Sequence, residues 1–361
     1  MCRALLARGI EVLLVTTNDG SQERNAVTRV ATLQDVPAII FPSQFGESFK
    51  YSRPLAIWLD ANARQFDLAH IHAVFNHASV AAARACRKAN VPYVIRPLGT
   101  LDPWSMKQKP LRKRIFWTLE GKTMLSAAKA VHYTSATEQS GTESLLGVNH
   151  GKVIPLGIDF VNDRATHLAN GSRPSERYVL VLSRLHPKKG LEVLIDAFIS
   201  LVQDSSFADW KLVIAGDGPR DYVSSLKQRA APAQNRIAFP GWLDGERKEA
   251  MLSGASLLAL TSYQENFGLC VMEALARSVP AIISPHVNLA DEIREASAGW
   301  VAPVEKDALA TTLAIALSDE AERSSRGRAG KFLSERYSWE RVAGDLERLY
   351  TEITNGSAGV H

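Results

Sequence analysis

The stretch that decides the fold is Thr261–Ser284, TSYQENFGLCVMEALARSVPAIIS. Just ahead of it, Ser256–Leu260 is a short apolar run that predicts a strand ending at Leu260. Asn266-Phe267-Gly268 then leads into a helix from about Leu269, and Ala281–Ser284 reads as the next strand. Glu265 falls in the loop, and Glu273 falls one turn inside the helix. Loop N–H groups together with a helix N-terminus form an anion site of the kind that holds a diphosphate. Gly268 lets a ligand approach the backbone closely. Spacing alone leaves a second reading open, in which Glu265 is an ordinary loop residue and Glu273 an ordinary helix residue.

The alternation continues outward. Tyr178–Ser183, Lys211–Ala215 and Ile237–Phe239 are strand candidates, and helices start near Gly190, Arg220, Lys248, Leu269 and Asp291. In the first half, strand candidates are Val12–Thr16, Ala38–Phe41, Leu68–Ile71, Tyr93–Arg96, Ala130–Tyr133 and Lys152–Pro155. Helical patterns cover Ser79–Ala89 and Thr137–Leu146. Apolar strands separated by helices indicate parallel sheets covered on both faces. Two such halves predict an α/β chain of two doubly wound domains. The expected division is 1–160 and 161–338, with a helix from about Trp339 and a tail, 339–361, crossing back. The linker is expected after IPLGID, Ile154–Asp159, in the polar stretch Asn162–Arg177.

Two further segments carry candidate chemistry. Ser183–Ala197, SRLHPKKGLEVLIDA, puts Arg184 at the end of a strand and Lys189 before Gly190 and a helix. Both cations are candidates to neutralise a phosphate pair at the mouth between the domains, Arg as a fork and Lys as a point charge. Solvated loop positions are the competing reading. Gly216-Asp217-Gly218-Pro219 follows a strand directly as a tight turn, a weak motif when taken alone.

The 361 residues suffice for two domains at roughly 100–200 residues each. With 46% hydrophobic and 22% charged residues, the chain is neither disordered nor collagen-like. Apolar runs such as Leu257–Leu260 are too short to span a bilayer, and no secretory signal is expected. Cys2, Cys86 and Cys270 match no disulfide framework and no zinc spacing, which predicts reduced thiols in a cytosolic protein. Charge is uneven: residues 1–160 hold 19 Lys and Arg against 12 Asp and Glu, a net +7, and the remaining 23 and 26 leave −3. The excess concentrates in Lys107–Lys122, KQKPLRKRIFWTLEGK, with six basic residues and one acid. As a helix it is a candidate for an anionic membrane surface; the alternative is a solvated face with Phe116 and Trp117 in the core. Nucleic acid is not expected, since no stacking platform or motif accompanies the charge.

Together these segments resemble the retaining glycosyltransferases of family 4, which have the GT-B fold of two Rossmann-like domains facing across a cleft. The family's E-x7-E signature is matched by Glu265 through Glu273, its Arg…Lys-Gly segment by Arg184 and Lys189-Gly190, and its G-x-G-P turn by Gly216–Pro219. The likeness extends to IPLGID, to the HIH within Asp67–His72 and to YSWERV from Tyr337, nearly the whole chain from Arg3. It implies that Arg184 and Lys189 stabilise a leaving nucleotide diphosphate, that Glu273 holds the ribose, and that Glu265 contacts the transferred sugar. Gly216 and Gly218, with Asn266, Phe267, Gly268 and Leu269, would help hold the donor, and Ile237–Gly241 would meet the base. The resemblance implies no cofactor and no metal, only a GDP- or UDP-hexose as substrate. Transfer with retention would then proceed through an oxocarbenium-like state without a committed nucleophile, leaving-group stabilisation being the main term.

Two departures stand out. Where the family often has a donor-facing His, Tyr93–Thr100 reads YVIRPLGT, so that Arg96 or Pro97 stands there. With Asp102-Pro103-Trp104 this resembles a polysaccharide-assembly branch. His72, His77 and Arg96 remain acceptor-side candidates, with a structural role as the alternative for each histidine. The second departure is the absence of an opening strand and glycine loop before the helix end Cys2–Arg8, capped at Gly9. The expectation is that the natural protein begins upstream, and that the strands near Glu11 and Leu68 have facing edges without a partner.

The resulting expectation is a hexosyltransferase acting on a lipid-linked or oligosaccharide acceptor in cell-surface polysaccharide assembly. It would be cytoplasmic and a candidate for the inner face of the plasma membrane. A GT-B sugar epimerase and a catalytically impaired sugar-binding or scaffold subunit are the alternatives.

Overall fold

The structure, a computed structural model, describes residues 1–18, 27–45, 49–107, 110–160 and 177–358. The expected linker stretch therefore lies outside the described residues except for Arg177. The chain divides into two compact units, Met1–Gly157 with Trp339–His361, and Ile158–Ser338.

The first unit holds two sheets. Strands β1 (Leu14–Thr17), β2 (Arg29–Leu33) and β3 (Val36–Phe41) form one, in the order β1-β3-β2. Strands β4 (Ala69–His72), β5 (Tyr93–Arg96), β6 (Ala130–Tyr133) and β7 (Gly151–Val153) form the other, parallel and in sequence order. Among the described residues β1 and β4 are outer strands of separate sheets. The expectation of a purely parallel first half is corrected by β2, which pairs antiparallel with β3. Their two-residue turn, Gln34-Asp35, takes φ of 48° and 66°, the primed geometry that matches strand twist. Sequence gave no sign of it, because Gln-Asp is not a typical turn pair and β2 is largely exposed.

Alternation along β5 sorts its neighbours. Tyr93 and Ile95 pack with Ile71, Val80, Met124 and Leu125 under helix His77–Ala89. On the opposite face Val94 and Ala130 meet Leu5, Val342, Leu346 and Leu349. That face is covered by the short helix Cys2–Leu6 and the last helix, Trp339–Ala358.

The second unit has one six-stranded parallel sheet: β8 (Tyr178–Leu182), β9 (Lys211–Ala215), β10 (Ile237–Gly241), β11 (Leu257–Leu260), β12 (Ala281–Ile283) and β13 (Gly299–Val301). The order is β10-β9-β8-β11-β12-β13, the doubly wound 3-2-1-4-5-6 arrangement. Val179, Val181, Leu212, Ile214 and Leu257 bury one face against helices Leu191–Leu201 and Lys306–Ser318. The winding reverses between β8 and β11, and ligands of such sheets bind at the carboxyl ends of the strands there.

Candidate active site

Both charged motifs of the second unit follow strands at this reversal. After β8 the chain passes Arg184, makes a short turn at Pro187–Lys189 and enters helix Leu191–Leu201. After β11 it passes Thr261–Gly268 into helix Leu269–Leu275. The two loops are stitched together: the Thr261 hydroxyl donates to the Lys189 carbonyl at 3.1 Å, and the Tyr263 N–H donates to the Lys188 carbonyl at 2.8 Å. Gly190 permits this contact, since its φ is +62° and a Cβ there would strike the Thr261 carbonyl. Across the junction the part-buried Lys189 ammonium and Glu265 carboxylate form an ion pair. Glu265 is fixed in turn by its backbone, with its N–H on the His286 carbonyl and its carbonyl receiving the Asn288 N–H, both at 3.0 Å.

Glu273 has a lysine of its own. Lys248 Nζ, from helix Gly245–Gly254, donates to Glu273 Oε1 at 2.7 Å. Arg277 ties the same helices together, binding the Glu249 carboxylate and donating to the Glu273 carbonyl at 2.6 Å. Cys270 stands within electrostatic reach of Lys189, Glu265, Glu273 and Lys248, and burial pushes its thiol up to about 12. It is therefore a neutral neighbour of four charges. Arg184 is exposed and makes no ion pair among the described residues.

The other named positions shape the loops. Phe267 is buried against the Tyr337 ring at 5.7 Å. Gly268 opens the helix with φ of +74°, Leu269 is exposed beside it, and the Asn266 side chain faces Asn288 Nδ2 at 3.5 Å. At Gly216 a Cβ would collide with the Ser183 carbonyl, and at Gly218 with the Leu185 carbonyl. These glycines thus seat the turn after β9 directly against the loop that carries Arg184.

In the first unit, His72 and Arg96 face each other in register across β4 and β5. Their neighbours form a chain of bonds whose direction can be deduced. His132 Nε2 meets the Ile154 carbonyl at 2.7 Å, and a carbonyl only accepts, so Nε2 carries the proton. His132 Nδ1 then accepts from His70 Nε2 at 3.2 Å, and His70 Nδ1 accepts from the Tyr350 hydroxyl at 2.6 Å. All three imidazoles of this region are held neutral. Burial, helped by Arg96, holds His72 at about 4 and His132 at about 3, and burial with the neighbouring rings takes His70 well below its usual 6.5. His77 is placed elsewhere. Its Nδ1 accepts the Ser52 N–H at 3.2 Å and its ring packs on Phe49 and Tyr51, a role in packing that does not join Arg96.

The basic segment is helical over Pro110–Phe116, passes a π-turn at Trp117–Gly121 and resumes over Lys122–Ser126. Phe116 and Trp117 pack inward, Phe116 on Phe75 at 5.1 Å. Gly121 makes room for both rings. Outward face Leu111 (71% exposed), Ile115 (53%) and Leu119 (70%), beside exposed Arg112, Arg114 and Lys122. Lys113 points back to Phe75 and the Ser105 carbonyl, and Glu120 pairs with Arg84. No helix among the described residues is long and apolar enough to cross a membrane.

Sequence reasoning named Lys189, Glu265 and Glu273 but missed Lys248, which stands in a polar helical stretch with nothing to set it apart. It also missed His132 and Tyr350. A histidine inside the apolar run Ala130–Tyr133 was the signal for the first; a tyrosine on a terminal helix gave none.

Residues 163–332 match the family described as "Glycosyl transferases group 1", and residues 1–157 match the "Glycosyl transferase 4-like domain". The chain is 30% identical over 183 residues to an uncharacterized glycosyltransferase of Methanocaldococcus jannaschii, covering 50% of this chain and 46% of that one. It is 29% identical over 214 residues to the phosphatidyl-myo-inositol mannosyltransferase of Mycobacterium tuberculosis, covering 57% and 55%. The match thus spans about half the length of these curated relatives. Among solved structures, the sucrose-phosphate synthase of Thermosynechococcus elongatus superposes with a TM-score of 0.77 at 20% identity, over 98% of this chain and 92% of that one.

Proposed function

The chain belongs to the family 4 glycosyltransferases of the GT-B fold, and from that premise we propose that it moves a hexose from a GDP- or UDP-sugar to a lipid-linked or oligosaccharide acceptor, with retention of configuration, in cell-surface polysaccharide assembly. The observation that carries this reading is the pair of ion pairs Lys189–Glu265 and Lys248–Glu273, built by the loops and helices that flank β8 and β11 at the winding reversal and both within electrostatic reach of Cys270. In this reading Arg184 and Lys189 stabilise a leaving diphosphate, so the charge developing on it is met by side chains. Glu273, steadied by Lys248, accepts from ribose hydroxyls, and Glu265 meets the transferred sugar while setting the Lys189 ammonium. Gly216 and Gly218 serve the donor indirectly, by holding the Arg184 loop. We read the enzyme as independent of a metal and as a peripheral protein of the inner membrane face, where its acceptor would be found. The exposed Leu111, Ile115 and Leu119 among basic side chains support that placement.

A nucleotide-sugar binding screen with mass detection of product tests the reading. Transfer of one hexose unit to an added acceptor, with the anomeric configuration of the donor kept, is the expected result. Conversion of donor without any acceptor would point to an epimerase instead, and binding without turnover to a scaffold.

A further inference from the structure

Arg96 is 4% exposed, and its Nε and Nη2 have no hydrogen-bond partner among the described residues. These two N–H groups form the side edge of the guanidinium fork, the edge whose parallel donors match two oxygens of a carboxylate or phosphate. Burying this charge without an acceptor is costly, and its surroundings offset the cost only in part, through Glu138. His72, opposite in register, is neutral, as are His70 and His132. The Tyr350 hydroxyl is engaged with His70. The carboxylate that acts on Arg96 is that of buried Glu138, and the hydrogen bonds it accepts come from other groups. Its Oε1 accepts the Gly99 N–H at 2.7 Å, and its Oε2 accepts the Thr134 N–H and hydroxyl at 2.7 and 2.8 Å.

The position reinforces the chemistry. Arg96 is the last residue of β5, at the carboxyl ends of parallel strands, where such sheets bind ligands. Two residues on, Leu98 takes φ of +58° and is 42% exposed, followed by Gly99 at +69°. A left-handed leucine is strained, and such strain collects at binding sites.

We propose that Arg96 anchors an oxyanion site in the first unit, and that its ligand is the phosphate or carboxylate of the acceptor; the second clause rests on the transferase reading above.

The test uses the full chain carrying Arg184→Ala and Lys189→Ala, so that anion binding no longer reports on the second unit. Inorganic phosphate, pyrophosphate, acetate and methyl glucoside are titrated by calorimetry, with thermal melts alongside. At least one of the three anions should bind, phosphate or pyrophosphate indicating a phosphorylated acceptor and acetate a carboxylated one. Arg96→Gln and Arg96→Lys should each weaken that binding at least tenfold. Without anion, Arg96→Gln should melt at the same temperature or higher, because a buried unpaired charge has been removed. Anion affinity unchanged in both variants overturns the proposal. So does Arg96-dependent binding of the uncharged glucoside, or loss of folding in both variants, which would make the guanidinium structural. In the otherwise unaltered chain, Arg96→Gln should leave GDP and UDP affinity within twofold while raising KM for the acceptor. Loss of nucleotide affinity instead would overturn the acceptor assignment alone. Failure of the unaltered chain to bind any nucleotide-sugar would overturn the transferase reading and leave the anion site standing.

Discussion

Lys189 and Glu265, 76 residues apart in the chain, meet as an ion pair across the ends of adjacent strands β8 and β11. In the proposed reaction the lysine would therefore meet a diphosphate with part of its charge already balanced. Lys189→Ala should lower kcat/KM about a hundredfold, a loss near 3 kcal/mol of transition-state stabilisation, with the fold intact. Glu265→Gln should lower kcat yet tighten GDP or UDP binding, because the ammonium loses its competitor. Calorimetry checks the second half; weaker nucleotide binding in Glu265→Gln would contradict it.

Glu273 and Lys248 act as a unit. Glu273→Ala should also cost about a hundredfold in turnover, and Lys248→Ala about tenfold. The double variant should be no worse than Glu273→Ala within about twofold, since neighbours in contact are not additive. Fully multiplicative losses in a double-mutant cycle would show that the lysine does not work through the glutamate.

Gly218→Ala should destabilise the protein by about 2 kcal/mol or more, because the added methyl meets the Leu185 carbonyl and backbone must move. Nucleotide affinity should fall with it, as the Arg184 loop shifts. Unfolding in urea and nucleotide titration of the same variant test both effects, and an unchanged midpoint would refute the packing account.

The buried histidines make stability depend on pH. In the unfolded chain they take protons near 6.5, whereas in the fold His72 waits until about 4 and His132 until about 3. Both are depressed bases, so their contribution is complete above 6.5 and is lost as pH falls toward those values. Each contributes a slope of up to about 1.4 kcal/mol per pH unit in that window. Urea unfolding between pH 7.5 and 4.5 should show it, and His132→Asn should flatten the slope by about 1 kcal/mol per unit or more. An unchanged slope would mean that the ring is already charged in the fold.

Membrane attachment through the basic helix should need both kinds of side chain. Each exposed Lys or Arg near an anionic bilayer contributes on the order of 1 kcal/mol. Charge reversal at Arg112, Arg114 and Lys122 should abolish flotation with anionic vesicles, and so should serine at Leu111, Ile115 and Leu119. Lys113→Glu should act differently, through its contact with Phe75. Equal flotation of all variants would remove the membrane from the account.

Much of the second unit could be read in the sequence. Its strands are unbroken apolar runs, and the glycines and charges lie where such strands end. Lys248 was illegible, because a lysine in GERKEA has no periodic or positional mark until two helices are packed. β2 was hidden by its exposure and by a Gln-Asp turn. The bare edge of Arg96 was unreadable in a different way: its sequence number places it at a strand end, but that Glu138 accepts from Gly99 and Thr134 and not from Arg96 is a fact of tertiary structure.

The helix Trp339–Ala358 is made after the second unit but belongs to the unit begun before it. At about 5–20 residues per second, synthesis of Ile158–Ser338 takes on the order of ten to forty seconds. Throughout that interval Leu5, Val94 and Ala130 lack the second of the helices that bury them, and His70 has no Tyr350 hydroxyl. The second unit is contiguous and can close while the first still waits. The first unit can thereby be completed only after the second has been made, and its unfinished face is what a chaperone would meet.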